Sequence, residues 1–174
     1  VIQPAYRRNP QELQKIDEAI LEVTANKDVV LQGLYIEGFA SPEGAYATNE
    51  RLSRERATAL KEYIRQKFSL NENLFRVSSV AEDWHGLETL VKASELPDKD
   101  RILEVISSVS IEAGREGALM KLGRGVSYRK MLKEMFPELR RVEYQIDYSV
   151  KDYGVDEAKK LLDAAKAKVV TEGL

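Results

Sequence analysis

At 174 residues the chain is long enough for one ordinary domain with a real core plus a small appendage, since about 150 residues bury roughly two-thirds of their unfolded surface. A 43% hydrophobic fraction beside 32% charged residues argues against a disordered chain and against a membrane span. The 27 Lys+Arg against 29 Asp+Glu, without a long single-sign block, lack the electrostatic footprint of a nucleic-acid binder.

The absence of cysteine removes disulfides, thiolate zinc sites and thiol nucleophiles, and leaves the redox compartment open. No signal peptide, lipidation motif or long apolar run is legible, and the start at Val1 leaves room for a removed targeting segment. Direct membrane insertion by this segment is not expected.

Asn9-Pro10-Gln11-Glu12 supplies a cap residue, a proline at the first helical position and a glutamate three after the cap, the arrangement that satisfies orphan amides at a helix start. Leu13, Ile16, Ile20 and Val23 recur at helical spacing until Asn26-Lys27-Asp28, so residues 10–25 read as an amphipathic helix. Val29 to Phe39 is β-rich and nearly continuous, and reads as a central strand covered on both faces. After a polar loop at Ser41 to Gly44, a helix is predicted from about Ala47 to Lys67, with Leu52, Ala57, Leu60, Tyr63 and Ile64 on its core side. Leu74 to Val80 returns as a strand, and a strand, helix, strand unit of this length implies parallel pairing.

Between residues 83 and 137 the stretches Leu87–Ala93, Asp98–Val109, Arg115–Leu122 and Ser127–Phe136 read as short helices punctuated by Pro97, Gly114, Gly123, Gly125 and Pro137, a helical insertion. In the last strand, Arg140 to Val150, the residues Val142, Tyr144, Ile146, Tyr148 and Val150 alternate with Arg141, Glu143, Gln145, Asp147 and Ser149, which predicts one wet face. Residues 151–154 read as a linker and Val155 to Val170 as a Lys- and Ala-rich helix, either terminal or the start of a following domain.

The most informative stretch joins the first strand to the Arg-bearing helix. Arg56 shares its helical stripe with Leu52, Leu60 and Tyr63, and an arginine on the apolar side of a helix needs a partner. Gly38-Phe39-Ala40-Ser41, Gly44, Asn49 and Leu52-Ser53-Arg54-Glu55-Arg56-Ala57 together resemble, without a gap, the signature of the OmpA-like peptidoglycan-binding domain. The resemblance covers residues 1–82 and 138–150. It implies an α+β fold, a two-layer sandwich of a mixed sheet with helices on one face. It also implies a first strand that ends about where this chain begins, so that the chain is expected to be a piece of a longer protein, with the insertion before the last strand. The Ala-Ser-Pro-Glu-Gly loop with a helical insertion further resembles OmpA-like modules of Bacteroidetes envelope proteins, which can sit beside helical repeats.

In that family an aspartate and an arginine hold the zwitterionic end of diaminopimelate. The arginine falls on Arg56 and the aspartate on Ser41, which supplies a hydroxyl and no charge. Glu43 replaces the counter-ion if the Pro42 turn points it inward; otherwise Arg56 pairs within the fold with Glu43, Glu37 or Glu55. An Arg to carboxylate contact and the amides at the helix start remain available to an anion. Ser41 alternatively caps its turn, Asn49 caps or supports the early helix, and Gly38 and Gly44 serve backbone geometry.

His85 is the only histidine and lacks the spacing of a zinc site or catalytic constellation; packing of Trp84-His85 is the simpler reading. The scattered glycines lack the Lys-Ser/Thr ending of a phosphate loop, and acidic pairs such as Glu82-Asp83 do not define a glycosidase. The sequence therefore carries two expectations, both non-catalytic and without cofactor or metal. One is an envelope module on the periplasmic side of the outer membrane that binds the peptide stem of peptidoglycan through Arg56, Ser41, Glu43 and Asn49. The other is an assembly module for envelope proteins that kept the fold and lost the wall ligand.

Overall fold

Residues 9–151 are described in the computed structural model. The expected first strand and the C-terminal helix at Val155 to Val170 lie outside them. Hydrophobic periodicity and turn chemistry set the order of elements. Helix α1 (Asn9–Ala25), strand β1 (Val29–Phe39), helix α2 (Tyr46–Phe68) and strand β2 (Phe75–Val80) are followed by five helices, then by strand β3 (Val142–Val150). The five are α3 (Trp84–Lys92), α4 (Lys99–Ser108), α5 (Arg115–Lys121), α6 (Val126–Glu134) and α7 (Phe136–Leu139). The fold is α+β, with the helical insertion placed before the last strand.

The sheet runs β2-β1-β3, with β1 parallel to β2 and antiparallel to β3. Registers Leu34↔Phe75 and Leu34↔Ile146 put these three side chains on one face. There they meet Leu13, Ile16 and Ile20 of α1 and Ala57, Leu60 and Ile64 of α2 in one buried cluster.

The other face differs from the expectation for β1. Tyr35 is 47% exposed, Glu37 takes a hydrogen bond from Ser78 Oγ at 2.9 Å, and among the described residues no helix packs there. The run Val29 to Phe39 conceals a period of two, because Tyr35 and Glu37 oppose Leu34 and Ile36. Its continuous look comes from a β-bulge between Leu31 and Gly33. The extra residue lets Leu31 and Leu34, three apart in sequence, lean on the same core, while Gln32 bonds Ser149 Oγ at 2.8 Å.

Strand β3 keeps its alternation through Asp147. Val142, Tyr144 and Ile146 pack against the core, Glu143, Gln145 and Asp147 are exposed, and Tyr148 and Val150 emerge at 53% and 61% exposure.

The insertion builds a core of its own from Trp84, Leu87, Ile102, Leu119, Met131, Phe136 and their neighbours. Tyr128 meets Phe136 edge-on at 5.8 Å and donates to Glu116 Oε1 at 2.6 Å. Burial, and then that bond, push the phenol pKa up. Helix α3 begins three residues ahead of its predicted start because Asp83 caps it, accepting from Gly86 N at 2.8 Å. Pro137, read from sequence as a terminator, lies in the first turn of α7, where its missing N–H is harmless.

Both ends of the insertion are tied to the end of β1. Asp83 N donates to Ala40 O at 2.9 Å, Ala40 N to Val80 O at 3.0 Å, and Phe39 N to Arg141 O at 2.8 Å. The Arg141 guanidinium stacks on the Phe39 ring at 4.1 Å and pairs with the buried Asp83 carboxylate.

Candidate functional site

The loop from Ala40 to Ala45 leaves the carboxyl end of β1, beside the carboxyl end of parallel β2, the place where open α/β sheets hold ligands. It is brought close to α2 by Gly38. A Cβ on Gly38 would lie well inside contact distance of the Ser53 carbonyl oxygen and 3.1 Å from Cβ of Ala57. Gly44 has φ +85, the left-handed conformation that turns the chain into α2 and that side chains disfavour.

Ser41 and Pro42 are the buried residues of this loop, with Ala40 before them. Asn49, 8% exposed, donates through Nδ2 to Ser41 O at 3.1 Å and Glu43 O at 2.8 Å. It therefore supports the loop and does not cap α2; Ala45 holds the cap position, without a side-chain capping bond. Asn49→Ala strands both carbonyls and is expected to lower stability by about 1–3 kcal/mol. Urea unfolding measures that loss, and faster amide exchange at residues 41–45 locates it.

Arg56 is half-buried and donates from Nη1 to Phe39 O at 3.2 Å. It forms no salt bridge among the described residues, because each acid that the sequence offers is engaged elsewhere. Glu55 pairs with Arg51 at 2.7 Å, Glu37 takes the Ser78 hydroxyl, and Glu43 pairs with Arg140. Burial, followed by repulsion from Arg140, lowers the Arg56 pKa, with partial compensation from Glu55. An arginine remains charged through such a shift. The result is a desolvated cation whose remaining N–H donors lack an anion.

Sequence reasoning missed Arg140. It arrives from beyond the insertion, 99 positions from Ser41, and donates from Nε to Ser41 Oγ at 3.1 Å, while Nη2 pairs with Glu43 Oε1. The signal available was the Arg140-Arg141 doublet immediately ahead of β3. Arg141 serves Asp83, Glu143 and the Phe39 ring, which leaves Arg140 to the loop.

Glu43 turns inward, 29% exposed at its side chain, and its Oε2 is buried without a hydrogen-bond partner among the described residues. The structure thus gathers Ser41, Glu43, Asn49 and Arg56 at one loop and adds Arg140. Two guanidiniums and one carboxylate leave a net positive charge suited to a carboxylate ligand. Ser41 Oγ accepts from the Arg140 guanidinium, and among the described residues no base takes a hydrogen bond from it.

Elsewhere, Trp84 is buried, bonds Glu82 Oε2 through Nε1 at 2.8 Å and carries the Arg115 guanidinium over its ring at 4.9 Å, while His85 is exposed. The described residues hold no cluster of three metal-ligating side chains, and none of their helices is long and apolar enough to cross a membrane. No protein-family model matches the chain, and no curated protein shows significant sequence similarity to it.

Proposed function

We propose that the chain is a non-catalytic, OmpA-like module of the cell envelope that binds the diaminopimelate-bearing stem peptide of peptidoglycan from the periplasm and tethers an outer-membrane protein to the wall. One observation carries the reading: Arg56 sits half-buried at the loop and forms no salt bridge among the described residues, while Glu43 and Glu55 pair with other arginines and Glu37 takes the Ser78 hydroxyl on the open face of the sheet. A purely structural arginine would be neutralised within the fold. The resemblance of Gly38 to Ala57 supplies the ligand class.

The assembly reading has its own support in the exposed Ile111, Met120, Val126 and Leu132 of the insertion, at 41%, 51%, 56% and 37% exposure. It requires no ligand at Arg56, and the unpaired guanidinium favours the wall peptide.

Co-sedimentation with purified peptidoglycan and calorimetry with a diaminopimelate tripeptide test the proposal. Arg56→Ala is expected to weaken binding about 10- to 100-fold, the worth of a hydrogen bond to a charged group, with only a small change in thermal stability, because relief of the desolvated charge offsets loss of the bond to Phe39 O. Absence of binding at millimolar peptide, or unchanged binding by Arg56→Ala, would overturn it.

A further inference from the structure

The loop site has two unmet demands and they differ in charge. Arg56 offers N–H donors and a positive charge to an anion. Glu43 Oε2, buried and without a partner among the described residues, offers a lone pair to a donor, but the charge of its carboxylate is already balanced by Arg140 on Oε1. Ser41 does not restore the negative charge, since its hydroxyl is neutral, and its oxygen is already taken by Arg140 Nε at 3.1 Å.

A zwitterion would carry its ammonium toward a neutralised carboxylate with the Arg140 guanidinium beside it, and like charges in a partly desolvated site repel. A carboxylate next to a neutral N–H answers both demands without that repulsion. We infer that this site recognises a carboxylate accompanied by an uncharged amide N–H, as at the end of a peptide or on an N-acylated amino acid, and that Arg140 sets this preference by neutralising Glu43. The inference rests on the proposed peptide-binding role of the site and refines which end group it takes.

Three forms of the tripeptide L-Ala-γ-D-Glu-diaminopimelate separate the possibilities by calorimetry: unmodified, acetylated on the distal nitrogen, and amidated on the distal carboxyl. The acetylated form is expected to bind within about threefold of the unmodified one or more tightly, and the amidated form at least about tenfold more weakly. Arg140→Gln uncovers the Glu43 charge and is expected to reverse the order, with the unmodified form preferred about tenfold over the acetylated one.

A loss of about tenfold on acetylation in the unaltered protein would overturn the inference and leave the peptide-binding proposal standing. Binding of none of the three forms would overturn both. An unchanged preference in a folded Arg140→Gln would remove Arg140 from the explanation, with the fold checked by thermal unfolding. Should that variant unfold, the three-form comparison in the unaltered protein decides the inference alone.

Discussion

Phe136→Ala is expected to destabilise the insertion by about 3–5 kcal/mol while protection in β1, β2 and α2 survives. The ring is fully buried among Leu87, Met131, Leu139 and the other members of the insertion core. Its edge-on contact with Tyr128 adds about 0.5–1.5 kcal/mol beyond the area removed from water. None of these residues belongs to the cluster that joins α1 and α2 to the sheet.

The ties between the two parts are instead polar and local: Asp83 with Arg141, Asp83 N on Ala40 O, and Arg141 on the Phe39 ring. These ties keep the insertion's two ends registered on β1 even when its interior loosens. Native-state amide exchange should therefore show α3 to α6 opening at lower free energy than the sheet, as two separate cooperative units. Equal loss of protection in both regions would mean that the two cores unfold as one.

Separate cores also explain which parts of the molecule were legible in the sequence. Helix α1 is read within a residue of its observed start because Asn9-Pro10 and a repeating Leu13, Ile16, Ile20 stripe are local signals. The insertion helices are found by their Gly and Pro punctuation. For β1 the local signal misleads, since a bulge makes an alternating strand look uniformly apolar, and nothing in one sequence shows that the face carrying Tyr35 lacks a covering layer.

The site divides in the same way. Ser41, Glu43, Asn49 and Arg56 lie within one short stretch and were singled out by its resemblance to the OmpA-like signature. Arg140 is delivered by the antiparallel register that sets Gly38 opposite Val142, a long-range pairing that hydrophobic pattern alone does not specify. The partner of Glu43 was therefore out of reach, as was the conclusion that Arg56 has no ion-pair partner among the described residues. The role of Asn49 was ambiguous for a related reason: its side chain serves the loop or the helix according to the path of the loop.

Gly38→Ala is expected to lower stability by about 3 kcal/mol, the upper part of the range for overpacking, because the obstacle is backbone. The added methyl would meet the Ser53 carbonyl and Ala57, and neither can rotate aside. Gly38 does not require positive φ, unlike Gly44, so the loss arises from the close approach of α2 to β1 and not from strain in the strand.

Gly33→Ala on the same strand is the control. There the new methyl meets the ring of Tyr35 at 3.4 Å and Leu74 O at 3.7 Å, ordinary contacts on the open face, and a change of about 1 kcal/mol or less is expected. The two substitutions also part in function. Relief at Gly38 requires α2 to move away from β1, and Arg56 lies on that helix one turn beyond Ser53. A shift large enough to admit a methyl would break the Arg56 Nη1 bond to Phe39 O and move the guanidinium away from the loop. Any Gly38→Ala protein that remains folded should therefore bind the wall peptide at least about tenfold more weakly, while Gly33→Ala binds as the unaltered chain does. Equal stability of the two variants in urea would show that the helix does not depend on a bare backbone at position 38.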